Sequence, residues 1–303
     1  MLSAFRSSVA RRACVLWCIL ACAAALGCGD RAGATLARLL QARDLTTELS
    51  LALTDAVTAA NRAVMAEADD KAKKFAQDAE HETDAVERDR ARLTKLLQGL
   101  DYTDELKLLD TFKASFARYR ELDREVLQLA VESSNLKAQK LSFGLAAQAV
   151  DAMRAALARA ADAAAAPSGG CWQLRALLWK AAADVRELQS LEPPHIAAAE
   201  DAVMTGLEQR MTALETSART ALQEANPVSA GTATAQAELG VAQTELERFL
   251  AVHREILALS RRNSNVHSLE LALGQHRLLA LECQGTLRAL AEELQKRGFR
   301  ATR

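Results

Sequence analysis

Two segments of this chain repeat one another at an offset of 130 residues. Residues 116–144, FARYRELDREVLQLAVESSNLKAQKLSFG, align without gaps on 246–274, LERFLAVHREILALSRRNSNVHSLELALG. Nine of 29 positions are identical: Arg118, Arg124, Glu125, Leu127, Leu129, Ser134, Asn135, Leu141 and Gly144 recur as Arg248, Arg254, Glu255, Leu257, Leu259, Ser264, Asn265, Leu271 and Gly274. Elsewhere one apolar residue replaces another, as in Phe116/Leu246, Tyr119/Phe249, Val126/Ile256 and Phe143/Leu273. Self-similarity at a fixed offset marks a duplicated unit that buries its apolar side against its own copy.

The unit is helical. No proline or glycine occurs between Leu36 and Leu97. The segment Gly99-Leu100-Asp101-Tyr102-Thr103-Asp104 closes that run, and Thr103 suits an N-cap with Asp104 and Glu105 in the first turn. A second run reaches about Ala166, and Pro167-Ser168-Gly169-Gly170 reads as a linker. A third starts near Cys171, is interrupted at Pro193-Pro194 and ends at Asn226-Pro227; a fourth extends to Gly298. Leu108, Phe112, Tyr119, Leu122, Val126, Leu129 and Leu136 recur at intervals of three, four or seven, which predicts a core-facing stripe. Glu121, Asp123, Arg124 and Gln128 fall between them and are placed on the surface. The expected fold is all-α: an elongated antiparallel four-helix bundle, coiled-coil in character, made of two duplicated long hairpins at 28–166 and 171–298, with a tail at 299–303. Helices of about 60 residues would make a rod about 90 Å long.

The first 27 residues read as an address. Three arginines and no acid precede a short apolar stretch that ends Ala25-Leu26-Gly27-Cys28. That ending resembles the lipobox of bacterial lipoproteins, with Ala25 and Leu26 interchanged relative to its usual order. The resemblance implies a lipid on Cys28 and a membrane-anchored protein facing the periplasm or the cell exterior. Plain cleavage near Ala25–Gly27 and an uncleaved anchor are the alternatives. Removing residues 1–27 takes away Arg6, Arg11 and Arg12 and no acid, which moves the formal charge from −1 to −4. A mildly acidic body offers nucleic acid no electrostatic attraction.

Chemical motifs are sparse. There is no Gly-rich phosphate loop, no Gly-x-Ser-x-Gly and no His-Glu-x-x-His, so neither catalysis nor a cofactor is expected. His81, His195, His253, His267 and His276 show no metal-ligand spacing and read as solvated or capping side chains, with His195 placed within reach of His267 across a hairpin. The charged run 67–95 reads as a solvated face laced with i,i+4 pairs. Outside the leader and Cys28, two cysteines remain. If the third and fourth runs pair about residue 227, Cys171 lies opposite Cys283, and an oxidising compartment would allow a disulfide. The polar triplets Ser133-Ser134-Asn135 and Asn263-Ser264-Asn265 interrupt the apolar stripe at one level in both copies. They read either as a register device, as buried polar groups are in coiled coils, or as the lining of a small-ligand pocket.

The long helices, the charged segment 67–95, the break at Asp101–Asp104 and the stretch FARYRELDREVLQLA together resemble the four-helix-bundle sensor domain of bacterial methyl-accepting chemotaxis receptors. The resemblance is clearest over residues 40–165. It implies a bundle that binds small organic acids or amino acids, directly or through a binding protein. The receptors continue into a second membrane helix and a signalling rod, whereas no apolar run of spanning length follows residue 28 here. Two readings therefore stand. One is an envelope lipoprotein whose sensor-like bundle binds a small organic ligand or a receptor-type partner protein. The other is a structural envelope rod without a small ligand. A second copy of the chain is a further candidate partner.

Overall fold

The computed structural model describes residues 4–164, 171–229 and 232–301, and side chains within that range except those of 4–32, 171 and 299–301. The expected address 1–27, the side chain of Cys28, the linker 167–170 and the tail 299–303 lie outside those residues or their described side chains. Every regular element among the described residues is a helix, so the fold is all-α. The elements are α1 (Ala4–Val64), α2 (Asp69–Gly99), α3 (Thr103–Glu132), α4 (Ser134–Leu141), α5 (Ala147–Ala163), α6 (Cys171–Ser190), α7 (Glu192–Ala197), α8 (Asp201–Ser229), α9 (Ala233–Arg262), α10 (Ser264–Leu271) and α11 (Arg277–Ala301). One-turn π segments, Ser142–Ala146 and Ala272–His276, join α4 to α5 and α10 to α11. Among the described residues, no helix is long and apolar enough to cross a membrane.

The first run is not one helix. It breaks at Met65-Ala66-Glu67-Ala68 and folds back, so that Leu39 to Leu53 of α1 share a core with Val86 to Leu97 of α2. Neither proline nor glycine marks this turn. What it does carry is Asp69 and Asp70, whose charges favour a helix N-terminus at α2. The third run folds back too. After α7 the backbone extends at Ala198 (ψ 130), and α8 returns along α6, with Arg210 bonded to Glu187 and Lys180 to Ser217. Pro193 and Pro194 occupy the first turn of α7, where a missing N–H leaves no bond unmade.

The expected pairing of Cys171 with Cys283 falls on a side chain, that of Cys171, outside the described ones. The pairing of Cys171 with Cys283 assumed one unbroken helix from 171 to 226. That run reverses near Ala198, so the unbroken register on which the pairing rested is not present in the second unit. Cys283 is a free, buried thiol, and burial pushes its pKa up to about 11.

The chain divides into two compact units. The first holds Met1–Asn61, Gln77–Arg124 and Gly274–Arg303; the second holds Arg62–Ala76 and Glu125–Leu273. In the first, α1, α2, the start of α3 and α11 share a core that includes Leu49, Leu93, Phe112, Phe116 and Leu290. Phe112, Phe116 and Tyr119 stack in file, with centroids 5.4 and 5.8 Å apart. In the second, α5, α6, α8 and α9 close over Met153, Leu178, Leu222 and Phe249. Many of its core positions are alanine, which lets helices approach closely at the cost of less buried area per residue.

The buried seam of α3 follows a strict 4-3 alternation: Glu105, Leu109, Phe112, Phe116, Tyr119, Asp123, Val126, Ala130 and Ser133. A mean spacing of 3.5 residues is that of a coiled-coil seam. It recurs 130 residues on as Ala235, Leu239, Ala242, Leu246, Phe249, His253, Ile256, Ser260 and Asn263, all buried. The backbone repeats as well. Ser133 (φ 51) and Asn263 (φ 49) both adopt the left-handed conformation, and both π segments follow at the same distance. Asp123, expected on the surface, is therefore a seam residue.

A buried polar layer in the second unit

The seam of α9 turns polar where it meets α4 and α7. The cause is the helix break at Ser133 and Asn263. A left-handed non-glycine residue costs about 1–2 kcal/mol, and each new helix start leaves N–H groups without intrahelical partners. Neither break is capped by its own side chain. Each is capped by the other copy. Ser134 N donates to Ser264 Oγ at 2.9 Å, and Ser264 N donates to Ser134 Oγ at 3.0 Å. Asn135 N donates to Asn265 Oδ1 at 3.1 Å, and Asn265 N donates to Asn135 Oδ1 at 3.2 Å. Four main-chain donors are thus satisfied by a reciprocal exchange about a local two-fold axis.

Asn135 does more than its copy. Its Nδ2 donates to Asn263 Oδ1 at 2.7 Å and to the carbonyl of Ile196 at 2.8 Å, while Asn263 Nδ2 donates to the carbonyl of Ala198 at 3.1 Å. The amides therefore also secure the turn after α7. Ser133 Oγ bonds locally to the carbonyl of Ala130 at 2.7 Å. Of the six polar residues singled out in the two triplets, five bond directly to the other triplet, and the sixth, Ser133, supplies the left-handed turn.

Two histidine networks extend the layer. His195 is fully buried: Nδ1 lies 2.8 Å from Ser260 Oγ and Nε2 lies 2.9 Å from Glu208 Oε1. Arg261 clamps Glu208 through Nε at 2.7 Å and Nη2 at 2.8 Å, and this guanidinium is the main reason that the carboxyl pKa falls to about 2. Burial lowers the pKa of His195, with the nearby Glu208 opposing the shift. Neutral His195 donates from Nε2 to Glu208 and accepts from Ser260 at Nδ1. Were it protonated, Nδ1 would donate to Ser260 Oγ, whose proton would serve the His195 carbonyl 3.0 Å away. Both protonation states are hydrogen-bonded, and desolvation, which disfavours the charged ring, gives the shift its downward direction. In the second network, His253 Nδ1 meets Glu192 Oε1 at 2.9 Å, and Ser142 Oγ donates to Glu192 Oε2 at 2.6 Å, all three groups buried.

The first unit has a counterpart of its own. Asp123 Oδ1 lies 2.8 Å from His276 Nε2, and the Tyr119 and His276 rings are 4.6 Å apart. Tyr119 Oη is buried with no hydrogen-bond partner within reach among the described residues; burial first, and then the nearby Asp123, raise its pKa far above the ordinary phenol range. His195, His253 and His276 are thus core residues rather than solvated ones, and His195 meets Ser260 instead of approaching His267, which is exposed. The signal for His253 was its place in the 3.5-residue seam; Glu192 and Glu208 gave none. No group of three or more His, Cys, Asp or Glu residues that could hold a metal occurs among the described residues.

The shifts set a direction for pH dependence. The pKa of His195 is lowered from 6.5 and that of Glu208 from 4.5 to about 2. As pH falls, the unfolded chain takes up each proton before the folded one does. Their contribution is therefore complete above pH 6.5 and is lost in two stages, one below 6.5 and one between 4.5 and about 2. Urea midpoints are expected to drop between about pH 7.5 and about pH 5.5, with a slope from His195 of at most about 1.4 kcal/mol per pH unit. His195→Gln should flatten that slope, and an unchanged slope in the variant would remove His195 as its source.

Comparison with known proteins adds no relative: no family model, no curated protein and no solved structure matches the chain.

Proposed function

We propose that the chain is a cell-envelope lipoprotein, held to a membrane through Cys28, whose helical body is a non-catalytic binding module. In this reading the body arose by duplication of a helical hairpin unit, and each compact unit is an antiparallel four-helix bundle. The recurrence of seam, left-handed break and π segment at one offset supports the duplication.

The observation that carries the functional reading is the reciprocal capping of the two polar triplets. Groups that could have faced a ligand bond to one another, so the layer sets register and holds the α7 turn. Ser260, His195 and Glu208 lie in the atomic order of an acyl-transfer triad. A nucleophile must meet its substrate, however, and Ser260 is 0% exposed. Recognition then falls to the outer surface of the helices. The likeness to chemoreceptor sensor domains supports the same class of role.

A second reading, a structural rod that packs against other envelope proteins or a second copy, has one observation in its favour. Phe143 and Leu273 hold equivalent places in the two π segments, and each is 65% exposed. Such paired apolar points are the kind of feature a protein partner covers.

Cell fractionation and metabolic labelling with a tagged fatty acid test the anchor. The full chain should carry the label and sediment with membranes, and Cys28→Ser should lose the label and most of the membrane association. A variant that keeps both would end the lipoprotein reading.

A further inference from the structure

Helices α5 and α6 of the second unit lie side by side and antiparallel, with Leu157 and Leu178 in one core and Arg175 3.9 Å from Asp162. An open groove of about 310 Å³ runs between them. It exists because α5 presents Ala155, Ala158 and Ala161 where longer side chains would fill the space between two helices about 8–10 Å apart. Leu157 and Leu178 form the floor. Trp179 forms a wall, yet the residue is 64% exposed. A large apolar ring left in water beside an apolar trough forgoes burial worth about 25 cal/mol per Å². From Asp151 to Ala161 the lining spans eleven residues of α5, about 15 Å of helix.

The Asp162–Arg175 pair lies just beyond one end of the groove, and the polar residues of its lining are confined to the other. Asp151 and Arg154 sit there, with Arg154 Nη1 3.5 Å from Asp151 Oδ1. The remaining lining is alanine, leucine and tryptophan. We propose that this groove binds a free single-chain fatty acid, its alkyl chain lying along the alanines against Trp179 and its carboxylate on Arg154. The size is at the lower bound of small-molecule sites, about 300–1,000 Å³. A protein segment would need an interface of about 1,200–2,000 Å² in total, which favours the smaller occupant for this trough. The lengthwise separation of an apolar floor from a charged mouth is the pattern of an amphiphile. A guanidinium has five donors, so Arg154 can receive the carboxylate while keeping Asp151. The proposal rests on the reading of the body as a binding module and is independent of lipid at Cys28.

The test uses the full chain in the cells that produce it. A fatty acid carrying a photoactivatable group and an alkyne tag is supplied, the cells are irradiated, and adducts are mapped by peptide mass spectrometry. Adducts with the mass of the free acid are expected to concentrate on the peptides that contain residues 151–161 and 178–182. Ala158→Phe, a substitution at an exposed position, should fill the groove and lower that labelling about tenfold, the equivalent of about 1.4 kcal/mol. Arg154→Gln should lower it by a similar factor, and Arg154→Lys should retain most of it. Even labelling over the helices, adducts carrying the mass of a whole phospholipid, or no response to Ala158→Phe would each overturn the proposal. The same map reads the lipid on Cys28 from a different peptide. Loss of that label with groove adducts intact would sink the anchor alone, and the converse would sink the groove alone.

Discussion

Glu192→Ala is expected to destabilise the second unit by about 2–5 kcal/mol, at about 1–3 kcal/mol for each of the two buried groups left without its hydrogen-bond partner. The carboxylate is 0% exposed, and both of its oxygens are engaged, one by His253 and one by Ser142. Its removal strands two buried polar groups and opens a cavity at the start of α7. Domain stabilities are about 5–15 kcal/mol, so a loss of this size should bring the unfolding midpoint down sharply in urea titrations followed by circular dichroism. Glu192→Gln keeps the volume and can still accept from Ser142, and should cost less. Replacing Glu192 and His253 together by leucine should recover much of the loss, because two apolar groups leave nothing unpaired except Ser142. A cost for Glu192→Ala below about 1 kcal/mol would mean that water reaches the site and that the pair is not buried in solution.

The parts of this fold that the sequence disclosed are those governed by periodicity. The 130-residue offset and the apolar recurrence in 116–144 are properties of long helices, and the structure repeats both down to the left-handed turns. What periodicity does not disclose is where a helix reverses. Met65–Ala68 contains no helix breaker, and that turn is held by packing between α1 and α2 rather than by local preference. The Pro193-Pro194 pair did mark a boundary, but prolines in a first turn signal a helix start, and the reversal lies after them at Ala198. The polar seam residues were hidden for another reason. Asp123 and His253 occupy equivalent core positions, and each is tolerated there only because a partner far along the chain meets it: His276 for one, Glu192 for the other. A charged residue in a stripe is ordinarily assigned to the surface, and only the strict 4-3 spacing argues otherwise. The triplets at 133–135 and 263–265 were legible as a shared level. Their mutual capping was not, since it depends on side-chain oxygens of one copy reaching main-chain donors of the other.

That capping is two-fold in the backbone but not in the side chains, and the difference predicts unequal outcomes for one substitution at equivalent positions. Asn265 uses its Oδ1 to accept from Asn135 N, at the first turn of α10. Aspartate keeps that acceptor, and a negative charge at a helix N-terminus is favourable, so Asn265→Asp should change stability by less than about 1 kcal/mol. Asn135 also donates through Nδ2 to Asn263 Oδ1 and to the Ile196 carbonyl, from a buried position. Aspartate there would turn a carboxylate oxygen toward two other oxygens and leave both without a donor. Asn135→Asp should therefore cost about 3 kcal/mol or more, at one to several kcal/mol for each buried group left unpaired. Alanine at both sites should behave as a coupled pair in a double-mutant cycle, with an interaction of about 0.5–3 kcal/mol, because each side chain caps the main chain of the other. The 130-residue repeat alone makes the two asparagines equivalent; the hydrogen bonds to the α7 turn make them unequal. Equal responses to aspartate in urea unfolding would show that the layer aligns two identical helix breaks and nothing more, and the assignment of Asn135 as the residue that ties α4 to α7 would be lost.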